Sequence, residues 1–155
     1  MRRVLLLVSH LIAVGFGFAL GIYFLPILTA PPGPETAMLE EKAKSATFTG
    51  TFDRDRAGSD FLHWGEGVIS LSDSEIVHMG KLAPGPDYML YLTTEFVEDE
   101  AGFEAIKANS ARIGPVKTFD GLILPVPEGV SIADYTTVVI WCEAFSEFIT
   151  SAQYQ

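Results

Sequence analysis

The stretch Thr136-Thr137-Val138-Val139-Ile140-Trp141-Cys142-Glu143-Ala144-Phe145 decides the fold class. Val138 to Cys142 is apolar at both odd and even positions, which marks a strand covered on both faces and lying centrally in its sheet. Alternation places Cys142 on one face with Val138, Ile140 and Ala144, and Trp141 on the other with Val139 and Glu143. The cysteine should therefore point into a core.

Outward from this run, further β-rich segments cover residues 47–52, 61–71, 76–82, 88–94, 111–117 and 122–126. Turn chemistry separates them: Asp73-Ser74, Pro84-Gly85-Pro86-Asp87, Asp120-Gly121 and Pro127-Glu128-Gly129. The pattern predicts a mostly β body, an antiparallel β-sandwich or partly open barrel of about seven to nine short strands. Residues 98–109 read as an acidic mobile loop with one helical turn, and 35–44 as a frayed helix or spacer.

The N-terminus is of a different kind. Val4 to Leu28 is 25 residues without a formal charge. As a helix it would reach about 37 Å, against a bilayer core of about 30 Å. The run is too long for a secretory signal peptide, and Thr29-Ala30-Pro31-Pro32-Gly33-Pro34 resembles an extended spacer more than a cleavage site. The expected organisation is a cytoplasmic tip and signal-anchor helix at 1–28, a Pro-rich and charged linker at 29–45, and a β domain at 46–155. Arg2 and Arg3 precede the span and no basic residue lies between Thr29 and Pro34. That asymmetry puts the body outside the cytoplasm, in the periplasm of a bacterial source. The membrane is thus one expected partner, through residues 4–28.

Beyond the span lie all 20 acidic residues and eight of the ten basic ones, a net charge of −12. Such a surface repels phosphates, which argues against nucleic acid and against electrostatic docking on anionic lipid.

Cys142 is the only cysteine, so it forms no disulfide within the chain. It is either an inert small hydrophobe or a redox thiol or ligand. A c-type haem motif and a dithiol are both absent from the sequence. Copper would draw on His63, His78, Cys142 and Met79 or Met89, but no His follows the cysteine. The cofactor is left unassigned. His63, just ahead of a strand, can act as a hydrogen-bonding neighbour; His78 and His10 are weaker candidates. Asp53, Asp55, Gly58 and Asp60 match a calcium loop too poorly to use. No nucleophile elbow, phosphate loop or zinc spacing occurs, so nothing specifies a stand-alone enzyme.

Several blocks together resemble the DM13 domain, a small β-rich extracytoplasmic module. They are His63-Trp64-Gly65-Glu66-Gly67-Val68-Ile69, then Gly85-Pro86-Asp87-Tyr88-Met89-Leu90-Tyr91-Leu92, then Ile113-Gly114-Pro115-Val116-Lys117, and finally Tyr135 to Phe145 with Phe148 and Ala152. The resemblance spans about residues 47 to 154. It implies an electron-transfer role centred on Cys142, with His63 nearby and Gly85, Pro86, Asp87, Tyr91, Gly114 and Trp141 as structural motif residues. The alternative is a non-catalytic binding or structural module that meets a partner through edge strands or the Trp64 and Tyr91 region, with Cys142 inert.

Overall fold

Two four-stranded antiparallel sheets face each other in the computed structural model, which describes Met1–Gln155. The first sheet has the order β1 (Phe48–Phe52), β2 (Gly65–Leu71), β3 (Glu75–Leu82), β6 (Asp120–Pro125). The second runs β5 (Ala111–Val116), β4 (Tyr88–Thr93), β7 (Thr137–Cys142), β8 (Glu147–Gln153). Ahead of them come α1 (Arg2–Thr29) and α2 (Thr36–Ala43), and α3 (Glu100–Ile106) lies between β4 and β5.

The fold is a β-sandwich preceded by a long apolar helix, as the strand pattern requires. Phe52, Ile69, Leu71 and Leu122 from one sheet meet Leu90, Val138, Ile140 and Cys142 from the other in the main core. The opposite face of the second sheet is dry as well. Met89, Tyr91, Val139, Trp141 and Phe148 pack there with Phe103 of α3. This second layer explains why β7 is apolar at every position: each side of the strand has its own cover.

Three segments differ from expectation, and at 35–44 the helix, one of the two expected forms, is present. The run 61–71 becomes a strand only at Gly65, because the Asp60 carboxylate takes the backbone N–H groups of Leu62 and His63 at 2.7 Å each and holds them in a bend. The run 136–145 stops at Cys142. Residues 143–146 turn, with Ser146 at φ 55°, into β8, a strand the sequence reading did not isolate. Residues 98–109 hold a capped helix, α3, whose N-cap Asp99 accepts from Gly102 N at 2.7 Å. Residues 36–43 form a short helix that buries Leu39 against the first sheet, where Gly121 (φ 78°) has no side chain to oppose it.

α1 is long and apolar enough to cross a membrane, and none of its residues is buried. One face of its last turns, at Ile22, Pro26 and Ala30, is shielded against the end of the sandwich.

Candidate functional site

Cys142 ends β7 directly opposite Tyr88, the first residue of β4. The Pro84–Asp87 loop leads into that tyrosine, and its conformation is set by contacts rather than by propensity alone. A Cβ on Gly85 would stand 2.3 Å from the Tyr88 hydroxyl oxygen and 2.5 Å from Cζ, so the ring packs where only glycine leaves room. Asp87 sits at φ 53°, in the left-handed region that Asp tolerates better than most residues. The Asp87 carbonyl accepts from Glu143 N at 3.0 Å, and the Pro86 carbonyl accepts from Cys142 Sγ at 3.0 Å. Gly85, Pro86 and Asp87 are thus one device that grips the end of β7.

The sulfur is almost fully enclosed, with Cys142 2 % exposed. Burial pushes its thiol up from the ordinary 9.0; the Ala144 and Phe145 amides pull it down, and the Asp87 and Glu147 carboxylates push it further up. The net shift is upward, so at neutral pH the residue is a thiol and a poor nucleophile.

His63 reaches the same pocket from the bend before β2. Its Nδ1 lies 3.2 Å from Asp60 Oδ1, the atom that also accepts the Leu62 and His63 amides. Burial would raise the Asp60 carboxyl, but these bonds and the His63 ring hold it below its ordinary value. Asp60 therefore fixes both the loop and the ring, leaving Nε2 as the nitrogen not so engaged. Cys142, His63 and Tyr88 line one pocket of about 230 Å³, with Leu62, Pro86 and Phe145 among its walls.

The remaining motif residues lie elsewhere. Tyr91 and Trp141 are buried on the opposite face, under α3. There the Tyr91 hydroxyl donates to Glu143 Oε1, and Lys107 Nζ donates to Glu143 Oε2 at 2.6 Å. Burial, followed by the bond to Glu143, pushes the Tyr91 phenol up to about 12. Against the desolvation that would raise it, the bonds from Lys107 and Tyr91 hold Glu143 below its ordinary range. Tyr91 is consequently not available as a surface aromatic, and Trp64 is half-covered by the Arg54 guanidinium 3.3 Å from its ring centre. The expected aromatic contact patch is not formed. Gly114 faces only ordinary contacts, the nearest being Leu124 Cδ2 at 3.8 Å from a built Cβ.

His78 is fully buried in the first sheet, with Nε2 2.9 Å from the Glu66 carbonyl and its ring against Phe52. Met89 lies under α3, away from the sulfur. His63 shares the pocket of Cys142, but His78, Met79 and Met89 do not line it, so the four residues a copper site would need are not brought together, and no three His, Cys, Asp or Glu side chains form a metal-holding group.

Sequence reasoning missed Tyr88 as a site residue. It is 2 % exposed, its hydroxyl has no hydrogen-bond partner in the chain, and burial drives its phenol well up, with Cys142 and Asp60 adding to the shift. Its position after the Gly-Pro-Asp turn was visible; the isolation of its hydroxyl is a tertiary property with no local signal.

No curated protein and no solved structure matches the chain. The family model described as "Electron transfer DM13" matches residues 51–154, from the middle of β1 to one residue past the last strand. Both the Gly-Pro-Asp grip and the cysteine it holds fall inside that match, and the chain belongs to the DM13 family.

Proposed function

We propose that this protein is a membrane-tethered electron-transfer module, with its sandwich outside the cytoplasm and the Cys142 sulfur as the atom through which electrons pass. The observation that carries the reading is the shared pocket: the one sulfur is hydrogen-bonded by the motif turn and faces the same cavity as His63. A merely space-filling cysteine needs neither. One-electron oxidation of a thiol releases a proton with the electron; the His63 ring is the base in the pocket that takes the proton, and a one-electron acceptor at the mouth takes the electron. Support for the tether comes from the length and apolarity of α1 and from Arg2 and Arg3 before it.

The test is mediated redox titration of the full chain beside Cys142→Ser. A couple present in the first and lost in the second supports the assignment; an identical couple in both overturns it. A second reading, a binding module with an inert core cysteine, is favoured by the enclosure and raised thiol of Cys142. It expects Cys142→Ser to be without consequence in every assay.

A further inference from the structure

The pocket holding Cys142 is closed on one side by α1 itself. Ala19, Ile22 and Tyr23 form that wall. They lie about 9 to 15 Å before the end of the helix at 1.5 Å per residue. If α1 spans the bilayer, the pocket mouth sits below the level at which the chain leaves the lipid. The loop tips beside it are dressed for that depth. Phe61 is 85 % exposed, Phe145 is 53 % exposed, and Leu62 is also exposed. Leu62 and Phe145 line the cavity and Phe61 precedes Leu62 in the chain; an acidic, water-facing body has no reason to leave these apolar side chains open, whereas a rim immersed among acyl chains does.

Inside the pocket the polar side chains from the sandwich are those of Tyr88, Cys142 and His63. Tyr88 has a hydroxyl with no partner, although the residue is 2 % exposed. The buried polar side-chain atoms left without a partner are His78 Nδ1, Trp141 Nε1 and Thr150 Oγ1, so the Tyr88 oxygen, also unbonded within the chain, is not sealed off and stays open to a guest. The Cys142 S–H is already committed to the Pro86 carbonyl, so the hydroxyl and the unengaged His63 nitrogen are the groups left to address a guest. No Lys or Arg lines the cavity, which does not suit a phosphate headgroup. Its volume, about 230 Å³, is below the roughly 300–1,000 Å³ of pockets that enclose a whole drug-sized ligand. It fits one ring, with a tail left outside in the lipid.

We infer that the Cys142 pocket binds, from the membrane side, the ring headgroup of a lipid-soluble quinone or quinol, with the Tyr88 hydroxyl donating to a ring oxygen. The inference rests on the reading of α1 as a membrane span and of this pocket as the working site. It adds the class of molecule that the site meets, a neutral apolar carrier.

The experiment is calorimetric titration of the full-length chain in phosphatidylcholine nanodiscs with a decyl-tailed benzoquinone, against empty nanodiscs. Saturable binding at one site per chain is expected, weakened about five- to tenfold in Tyr88→Phe, the loss of one neutral hydrogen bond. Heat no different from that of empty discs overturns the inference, as does unaltered affinity in a Tyr88→Phe protein that melts like the parent. Should Tyr88→Phe fail to fold, Leu62→Trp, a change at the exposed rim, is expected to abolish binding by filling the mouth; undiminished binding then overturns the inference. Cys142→Ser separates the two readings. A redox couple that depends on Cys142 without quinone binding sinks only this inference, and quinone binding with a couple indifferent to Cys142 sinks only the electron-transfer role.

Discussion

Cys142 Sγ donates to the Pro86 carbonyl at 3.0 Å, across the start of the strand pair in which Tyr88 faces Cys142. Burial keeps the sulfur protonated, and the bond ties this edge of the main core to the loop.

Its first consequence is kinetic. With the thiol raised above 9.0 by burial, maleimide should modify folded Cys142 far more slowly than free cysteine at neutral pH, with the rate still climbing beyond pH 9.0. Stopped-flow labelling across alkaline pH measures this. A neutral-pH rate equal to that of free cysteine would contradict the enclosure described above.

Gly85 and Gly114 belong to the same family motif set but differ in surroundings. Gly85→Ala forces a methyl into the Tyr88 ring edge and should cost about 1–3 kcal/mol, as overpacking does. Gly114→Ala meets only a 3.8 Å contact and should change stability by no more than about 0.5 kcal/mol. Urea unfolding of the two variants side by side decides it; equal losses would mean the grip around Tyr88 is not tight.

The phenol of Tyr91 is held at about 12 by burial and by its bond to Glu143. In Glu143→Gln the negative acceptor disappears, and the phenol should titrate closer to 10.0. The difference between the ultraviolet pH titrations of variant and parent isolates this tyrosine from the other four. Lys107 loses the charge of its 2.6 Å partner in the same variant, so a stability loss of roughly 1 kcal/mol should accompany the shift.

His78 gives the fold a pH dependence with a definite sign. Burial lowers it below 6.5, against the raising effect of the Glu66 carbonyl. Nε2 is bonded to that carbonyl while Nδ1 is buried without a partner, so a second proton would have nowhere to donate. The folded state then binds fewer protons than the unfolded chain, and the associated stability is present above 6.5 and lost as pH falls. Urea midpoints should drop between about pH 7.5 and about pH 5.5 and drop less in His78→Gln. Glu143 acts in a separate window, its contribution being lost only as pH falls below 4.5.

The apolar run at β7 was legible because both its faces are covered, and period-two reading assigned the sulfur and the indole to opposite sides. The Gly-Pro-Asp turn was legible as a motif, though not its grip on β7, which joins residues more than 50 positions apart. β8 escaped because its centre carries Thr150 and Ser151, polar side chains that are buried; Ser151 is satisfied by the Val97 carbonyl at 2.6 Å, a long-range bond. The α3 segment looked solvated because Glu98, Asp99 and Glu100 precede it. Asp99 as a cap and Phe103 one turn on are the signals that identify the helix. Of the copper residues present in composition only His63 and Cys142 share a pocket, and composition carries no distances.

The turn that holds the sulfur also holds the neighbouring backbone: Pro86 O accepts a hydrogen bond from the thiol and Asp87 O accepts one from the Glu143 amide. Removing the thiol proton by oxidation sets two electron-rich atoms face to face and weakens the first of these latches. The adjacent Glu143 amide would then exchange its hydrogen with solvent faster, making one peptide group a gauge of the state of the Cys142 sulfur.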